Sequence, residues 1–104
     1  MPIQGDEYVF NQKSVDAAPD SGGVYALYDD KDTLIYIGRA IGNTTTIRSR
    51  LQDHKAGRSG PCTQKASYYS REKCSDPATR ERELLEEYRR KTGHLPRCNE
   101  AMPS

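Results

Sequence analysis

Two short runs of β-forming residues, separated by a cluster of turn-forming residues, constrain this chain more than any other feature. Val24–Tyr28 and Thr33–Ile37 are rich in apolar and aromatic side chains, and the polar residues at positions 29–32 lie between them. Strand-forming runs on both sides of such a cluster are typical of an antiparallel hairpin. We therefore predict a β-hairpin.

The two faces of this hairpin differ in chemistry. A hairpin closed symmetrically about residues 30 and 31 places Tyr25 opposite Tyr36. Because side chains alternate across a sheet, one face then carries the residues expected to form the core: Val24, Ala26, Ile35 and Ile37. The other face carries the two tyrosines, with open backbone at Gly38 beside them. Such a pair either belongs to a site or only stabilises the sheet, and the strands alone leave both interpretations open.

Capping and turn residues place the other elements. Asn43 or one of the threonines after it is expected to cap a helix with Ile47 and Leu51 on its apolar side, ending near Gly57. Residues 58–63 are expected to form a loop, and residues 66–70 a third strand. Asp76 followed by proline is a strong helix start, and this second helix should stop at Gly93.

These elements predict an α+β (α/β) fold with a small three-stranded antiparallel sheet flanked by helices. A length of 104 residues leaves room for one compact domain. We place that domain at residues 22–99. Residues 1–21 are expected to be an N-terminal leader that packs on the domain, and residues 100–104 a C-terminal tail.

The charge is unevenly distributed along the chain. Residues 1–32 hold seven acidic and two basic side chains (2 − 7 = −5), whereas residues 33–104 hold eight acidic and fourteen basic ones (14 − 8 = +6). A basic region of this kind suits a polyanion such as DNA. Charge alone supports equally a set of solvated surface lysines and arginines.

The cysteine pattern and the length of the apolar runs indicate in which cellular compartment the protein is found. Cys62, Cys74 and Cys98 are odd in number and widely spaced, which argues against a disulfide framework and favours ordinary small residues that are buried or half-buried. A zinc site that combines them with His94 is a rival interpretation. No apolar run is long enough to span a bilayer, and residues 1–10 lack the pattern of a signal peptide. We expect a cytoplasmic protein with no membrane contact.

Gly23-Val24-Tyr25, followed after ten residues by Tyr36-Ile37-Gly38, resembles the paired signature of the GIY-YIG nuclease superfamily. This superfamily includes the N-terminal domain of excision-repair incision nucleases and the catalytic domain of certain homing endonucleases. The resemblance covers roughly residues 22–99. It implies a metal-dependent endonuclease that hydrolyses phosphodiester bonds in DNA.

The resemblance also implies roles for several downstream residues. Arg39 matches the basic residue that follows the second signature, and Arg50, which precedes an apolar residue on the first helix, matches the catalytic arginine. Arg48 competes with Arg50 for this role because the preceding loop is long. His54 occupies an offset at which some relatives carry a histidine, and Asn99 resembles the asparagine of the closing element, although a structural turn role is equally open. Together with Gly38, the residues expected to bind substrate are Arg39, Arg48 and Asn99.

The resemblance also implies a helical glutamate that binds a metal ion, and helix geometry selects among the four glutamates of the second helix. Glu81 precedes the apolar residues at 84, 85 and 88 by three, four and seven positions, so it shares their face. Glu83 is rotated away from this face, and Glu86 and Glu87 fit better as solvated partners of basic neighbours. A carboxylate directed inward suits a hard divalent cation. The family pattern also indicates Glu81.

The expected mechanism uses one Mg²⁺ or Mn²⁺ held by Glu81, and no small-molecule cofactor. Tyr25 would activate water, with its pKa lowered by nearby cations from the ordinary value of about 10. Arg50 would hold the phosphate, and Tyr36 and His54 would orient the nucleophile or relay a proton. The alternative is a catalytically inactive nucleic-acid-binding module of the same fold. The structure or sequence of the DNA that is cut and the oligomeric state stay open.

Overall fold

The computed structural model describes residue 3 and residues 6–102 and contains one antiparallel sheet of four strands. The spatial order of the strands is β1-β4-β2-β3, so β2 is internal and β3 lies at an edge. The elements are β1 (Glu7–Val9), α1 (Gln12–Asp16), β2 (Gly23–Tyr28), β3 (Leu34–Ala40), α2 (Ile47–Lys55), α3 (Pro61–Gln64), β4 (Tyr68–Lys73) and α4 (Pro77–Thr92). The predicted α+β class is confirmed.

Helices cover both faces of the sheet. On one face, Tyr25 and Leu27 pack with Ile47 and Leu51 of α2 and with Val15 of α1. On the other, a second cluster joins residues of β2 and β3 to α4: Val24, Ala26, Ile37, Leu84 and Leu85. Every residue of β2 is buried as a result. The prediction of a single core face was therefore wrong, because the tyrosine face is also covered by helices.

The hairpin is paired two residues away from the symmetric register. Tyr25 lies opposite Gly38, not Tyr36, and a bulge follows Leu27. The turn is asymmetric because Asp29 accepts hydrogen bonds from the backbone amides of residues 31 and 33, and because Asp32 adopts a left-handed conformation (φ 64°). A shift of two residues keeps both tyrosines on one face, as predicted.

The bulge changes the face on which one predicted core residue lies. Ile35 packs with the α1–α2 cluster, and Leu34 takes the expected place of Ile35 in the α4 cluster. Because a bulge inserts one extra residue, it reverses the alternation of side chains beyond it. Both residues are nevertheless buried.

The third predicted strand is the fourth along the chain and runs from Tyr68 to Lys73. The additional strand, β1, lies within the segment expected to be a leader, and it pairs with β4. Tyr8 of β1 stacks on Tyr69 at a centroid distance of 5.4 Å, and the Arg71 guanidinium lies 4.0 Å from the centre of the Tyr8 ring. These cross-strand contacts stabilise a strand too short to be recognised from its own sequence.

Both long helices begin and end where local chemistry predicts. Thr46 caps α2 and shares a reciprocal capping box with Ser49. Asp76 caps α4 ahead of a proline at its first position, and Gly93 ends it in a left-handed conformation (φ 86°). The predicted loop at residues 58–63 is partly helical, since α3 begins at residue 61. In the described part of the chain, no helix has the length and apolar character needed to cross a membrane.

Cys62 and Cys98 form a disulfide, which corrects the prediction of free cysteines. The sequence gives no indication of it because the two positions are 36 residues apart. The backbone amide of Cys98 donates to the Ile35 carbonyl at 2.8 Å, which brings the C-terminal segment to the edge of β3, near α3. Cys74 is the free cysteine. The rival zinc site is thereby contradicted, because two of its sulfur ligands are bonded to each other.

Candidate active site

A two-lobed cleft lies along the edge of β3, between α2 and α4. We name its smaller part, of about 360 Å³, the arginine lobe, because Arg39 and Arg50 line it. The larger part, of about 530 Å³, is named the disulfide lobe and is lined by α3 and the segment around Cys98. Tyr36 and Glu81 line both lobes. The cleft thus unites side chains that are far apart in the sequence.

Glu81 is directed into the cleft, as its helical position predicts. Only 8% of the residue is exposed, and one carboxylate oxygen, Oε1, accepts from Nη1 of Arg39 at 2.9 Å. Burial raises the pKa of Glu81, while the charges of Arg39 and Arg50 oppose this shift. Of the other candidate glutamates, Glu83 and Glu86 are exposed and Glu87 is half-buried. Helical periodicity therefore identified the buried carboxylate of α4.

Tyr25 and His54 form a buried hydrogen-bonded pair behind the cleft. Both side chains are 0% exposed, and the Tyr25 hydroxyl lies 2.8 Å from Nε2 of His54. Burial, followed by the nearby Tyr36, raises the pKa of Tyr25, and Arg50 opposes this only in part. The expectation that nearby arginines lower the pKa of Tyr25 was therefore wrong. The phenol keeps its proton at neutral pH because the desolvation of a phenolate outweighs the attraction of one guanidinium.

Tyr36, in contrast, lies at the surface of the cleft. Its ring is half-buried and packs against His54 at a centroid distance of 4.9 Å and against Tyr25 at 6.1 Å. Gly38 is the residue that allows this packing. A Cβ at Gly38 would lie 2.5 Å from the Tyr25 ring and hydroxyl and 2.8 Å from the ring of Tyr36. The backbone of Gly38 is therefore covered by the Tyr25 ring, and not open as expected from the sequence.

The two competing arginines of α2 point to different places. Arg50 lines the arginine lobe and interacts with the Tyr25 hydroxyl, which raises the pKa of Arg50. Arg48 instead donates from Nε to the Ala18 carbonyl at 2.9 Å and lies 3.9 Å from a carboxylate oxygen of Asp20. The structure thus places Arg50 in the cleft, whereas Arg48 holds the segment before β2.

Asn99 and Thr63 lie along the disulfide lobe. The Asn99 side chain accepts from the Ile37 amide and donates to the Ile37 carbonyl, both at 3.0 Å, so that it bonds to the edge of β3 as a strand would. Thr63 was not among the predicted site residues. Its Oγ1 lies 2.8 Å from Nδ1 of His54, and only 2% of the residue is exposed. No local pattern around Thr63 signals this contact.

Two carboxylates line the cleft, the buried Glu81 and the exposed Glu100 of the disulfide lobe, and of these two only Glu81 lines both lobes. Among residue 3 and residues 6–102, no three histidine, cysteine, aspartate or glutamate side chains form a metal-binding group. Mg²⁺ commonly takes only one or two protein carboxylates and completes its coordination with water and substrate phosphate oxygens. A single buried carboxylate beside a lobe lined by two arginines fits such an ion. The residues do not fit zinc, which prefers several nitrogen or sulfur ligands.

Comparison with known proteins assigns the chain to a family. A search of curated proteins finds no match to this sequence. The pattern of DUF7508, a domain of unknown function, matches residues 1–91, which include Tyr25, Tyr36, Arg50 and Glu81. Since this match spans most of the sequence, the chain belongs to the DUF7508 family.

Proposed function

We propose that this protein is a divalent-metal-dependent endonuclease that hydrolyses phosphodiester bonds in DNA, and that it is a member of the GIY-YIG superfamily. The observation that carries the proposal is the cleft itself. Tyr36 and Arg39 of β3, Arg50 of α2 and Glu81 of α4 meet in one place. Ionisable groups from separate elements are costly to bury together, and such clusters concentrate at functional sites.

The arginine lobe supplies the means to bind a phosphodiester. Guanidinium groups match the oxygens of a phosphate in charge and hydrogen-bonding geometry. Arg50 is held by its interaction with Tyr25, and Arg39 by its ion pair with Glu81. The excess of basic residues over positions 33–104 favours the approach of a polyanion. DNA is therefore the proposed partner.

The tyrosines are assigned roles according to their exposure. Tyr36 faces the cleft and orients the attacking water, with its hydroxyl as a hydrogen-bond partner. Tyr25 and His54 lie behind it, where they hold Arg50 and support the ring of Tyr36. Glu81 would hold the divalent cation, Mg²⁺ or Mn²⁺. When bound, such a cation makes water more acidic and stabilises negative charge on phosphate oxygens.

One observation favours a second candidate function, a nucleic-acid-binding module without catalytic activity. The 2.9 Å ion pair joins Arg39 to the carboxylate that the nuclease needs for its cation. In this alternative, Glu81 serves only to hold Arg39 for phosphate binding. Both functions use the same cleft. They differ in whether a metal ion replaces the Arg39 guanidinium as the partner of Glu81.

Cleavage of supercoiled plasmid, flapped, branched and single-stranded DNA with Mg²⁺ and Mn²⁺ distinguishes the two functions. The nuclease requires metal-dependent cleavage that Glu81→Gln abolishes. Glu86→Gln, which makes the same change at an exposed position of the same helix, should retain it. Unchanged circular dichroism would show that both variants fold. DNA binding without cleavage of any substrate would refute the nuclease and support the binding module.

A cytoplasmic location belongs to the same proposal. Reductants in that compartment keep most cysteine pairs in the thiol form. In that compartment the Cys62–Cys98 bond is therefore subject to reduction.

A further inference from the structure

Each cysteine of the disulfide directly precedes a residue that forms hydrogen bonds with the residues around the cleft. Cys62 precedes Thr63, which contacts His54 at 2.8 Å. Cys98 precedes Asn99, which bonds twice to the backbone of β3. The disulfide thus covalently joins two otherwise separate supports of the site.

The first support is a chain of hydrogen bonds with a defined direction. Arg50 carries only donors and interacts with the Tyr25 hydroxyl, which leaves Nε2 of His54, 2.8 Å away, as the acceptor for the phenol proton. Burial and the charge of Arg50 lower the pKa of His54 to about 4, so the ring is neutral at pH 7 and carries one proton. That proton must then lie on Nδ1, which donates to Thr63. Thr63 therefore fixes the tautomer of His54.

The second support acts on the strand that carries Tyr36. The side chain of Asn99 completes the hydrogen bonding of Ile37 at the outer edge of β3, next to Tyr36. The amide of Cys98 donates one hydrogen bond to the carbonyl of Ile35, on the other side of Tyr36. The segment around Cys98 thus holds both residues that flank Tyr36 in the strand.

We propose that Thr63 and Asn99 are positioning residues of the cleft and that the Cys62–Cys98 disulfide couples them, so that a dithiol reductant lowers DNA cleavage. A thiolate of the reductant attacks one sulfur and releases the other as a thiol. The second thiol of the reductant then closes its own disulfide and releases the first cysteine. Two electrons and two protons reach the protein, and the reductant is oxidised by the same amount. The part of this inference that concerns cleavage rests on the proposed function.

The first test measures cleavage kinetics of the full chain with and without dithiothreitol. Reduction should lower kcat by about tenfold to a hundredfold while KM for DNA changes little, because Arg39, which is held by its ion pair with Glu81, stays in place to bind phosphate. Removal of the reductant and reoxidation should restore kcat. Cys62→Ser should behave like the reduced protein in both conditions, and the matched control Cys74→Ser should respond to the reductant as the wild type does. Equal kcat for reduced and oxidised wild-type protein would overturn the inference.

The second test does not depend on cleavage. Nitrogen-15 NMR of the imidazoles should show His54 of the oxidised protein as the neutral tautomer with its proton on Nδ1. Reduction, or Thr63→Val, should shift its signals toward a mixture of tautomers, and Thr63→Ser should restore the single form. Signals of His54 that are the same in all four samples would contradict the inference even in an active enzyme. Absence of cleavage in both redox states would refute the proposed function, and the NMR result would then decide the inference alone.

Discussion

Acid is expected to destabilise this protein through His54. The side chain is 0% exposed, and its burial, together with the charge of Arg50, lowers its pKa from 6.5 to about 4. In the unfolded chain the imidazole keeps its ordinary pKa. Below pH 6.5 the unfolded state therefore binds a proton that the folded state does not bind, and a lower pH favours unfolding.

The two pKa values set the pH range and the size of this effect. Above pH 6.5 the imidazole is neutral in both states, so it adds no pH dependence. As the pH falls from there toward the folded pKa, the free energy of unfolding decreases by about 1.4 kcal/mol per pH unit, and the total loss reaches roughly 3 kcal/mol. At about pH 5 the loss is about 2 kcal/mol. This is a substantial part of a typical domain stability of about 5–15 kcal/mol.

Urea unfolding at about pH 7 and about pH 5 measures the effect when three proteins are compared: the wild type, His54→Gln, and the control His94→Gln, which changes an exposed histidine. Carboxylates titrate in all three proteins, so their contribution cancels in the comparison. Between these pH values, the wild type and His94→Gln should each lose about 2 kcal/mol more than His54→Gln. The same loss in all three proteins would refute the assignment of the acid sensitivity to His54.

Three further predictions concern the packing, the charge and the cross-link of the cleft. Gly38→Ala places a Cβ 2.5 Å from the Tyr25 ring and should lower the free energy of unfolding in urea by about 1–3 kcal/mol; no measurable change would contradict the close packing. Arg39→Gln removes the largest interaction that opposes the raised pKa of Glu81. A carbon-13 NMR titration should therefore find the pKa of Glu81 higher in this variant than in the wild type. An equal or lower pKa would contradict the ion pair. Cys62→Ser opens a cross-link between positions 36 residues apart and should cost about 3–4 kcal/mol of stability, with the same loss in the reduced wild type; equal stability with and without the bond would contradict its presence in solution.

Features governed by neighbouring residues could be predicted from the sequence. A cap followed by proline at Asp76, the left-handed stop at Gly93 and the threonine cap of α2 depend on local hydrogen bonds and backbone preferences. The burial of Glu81 could be predicted for the same reason, since helical periodicity determines which positions share a face. These are properties of single elements.

Features that depend on contacts between elements could not be predicted. Strand β1 is defined by the stacking of Tyr8 on Tyr69, which is 61 residues away (69 − 8 = 61). The hairpin register follows from the turn at Asp29 and from the bulge, neither of which a symmetric pairing allows for. The raised pKa of Tyr25 requires helices on the tyrosine face of the sheet as well, so the assumption that only the opposite face is buried gave the wrong direction.

The charges of the arginine lobe support the interpretation of this cleft as an anion site. Arg39 and Arg50 bring two positive charges, and Glu81 brings one negative charge, so the lobe carries +1 (2 − 1) when Glu81 is ionised. Burial favours the neutral form of Glu81, whereas the two guanidiniums favour its carboxylate form. A phosphate bound between the arginines would therefore weaken the attraction between the guanidiniums and the Glu81 carboxylate. A divalent cation would then restore the balance, because it replaces the positive charge that the phosphate has taken up. The same electrostatics therefore predict that DNA and metal ion bind cooperatively, each with low affinity in the absence of the other.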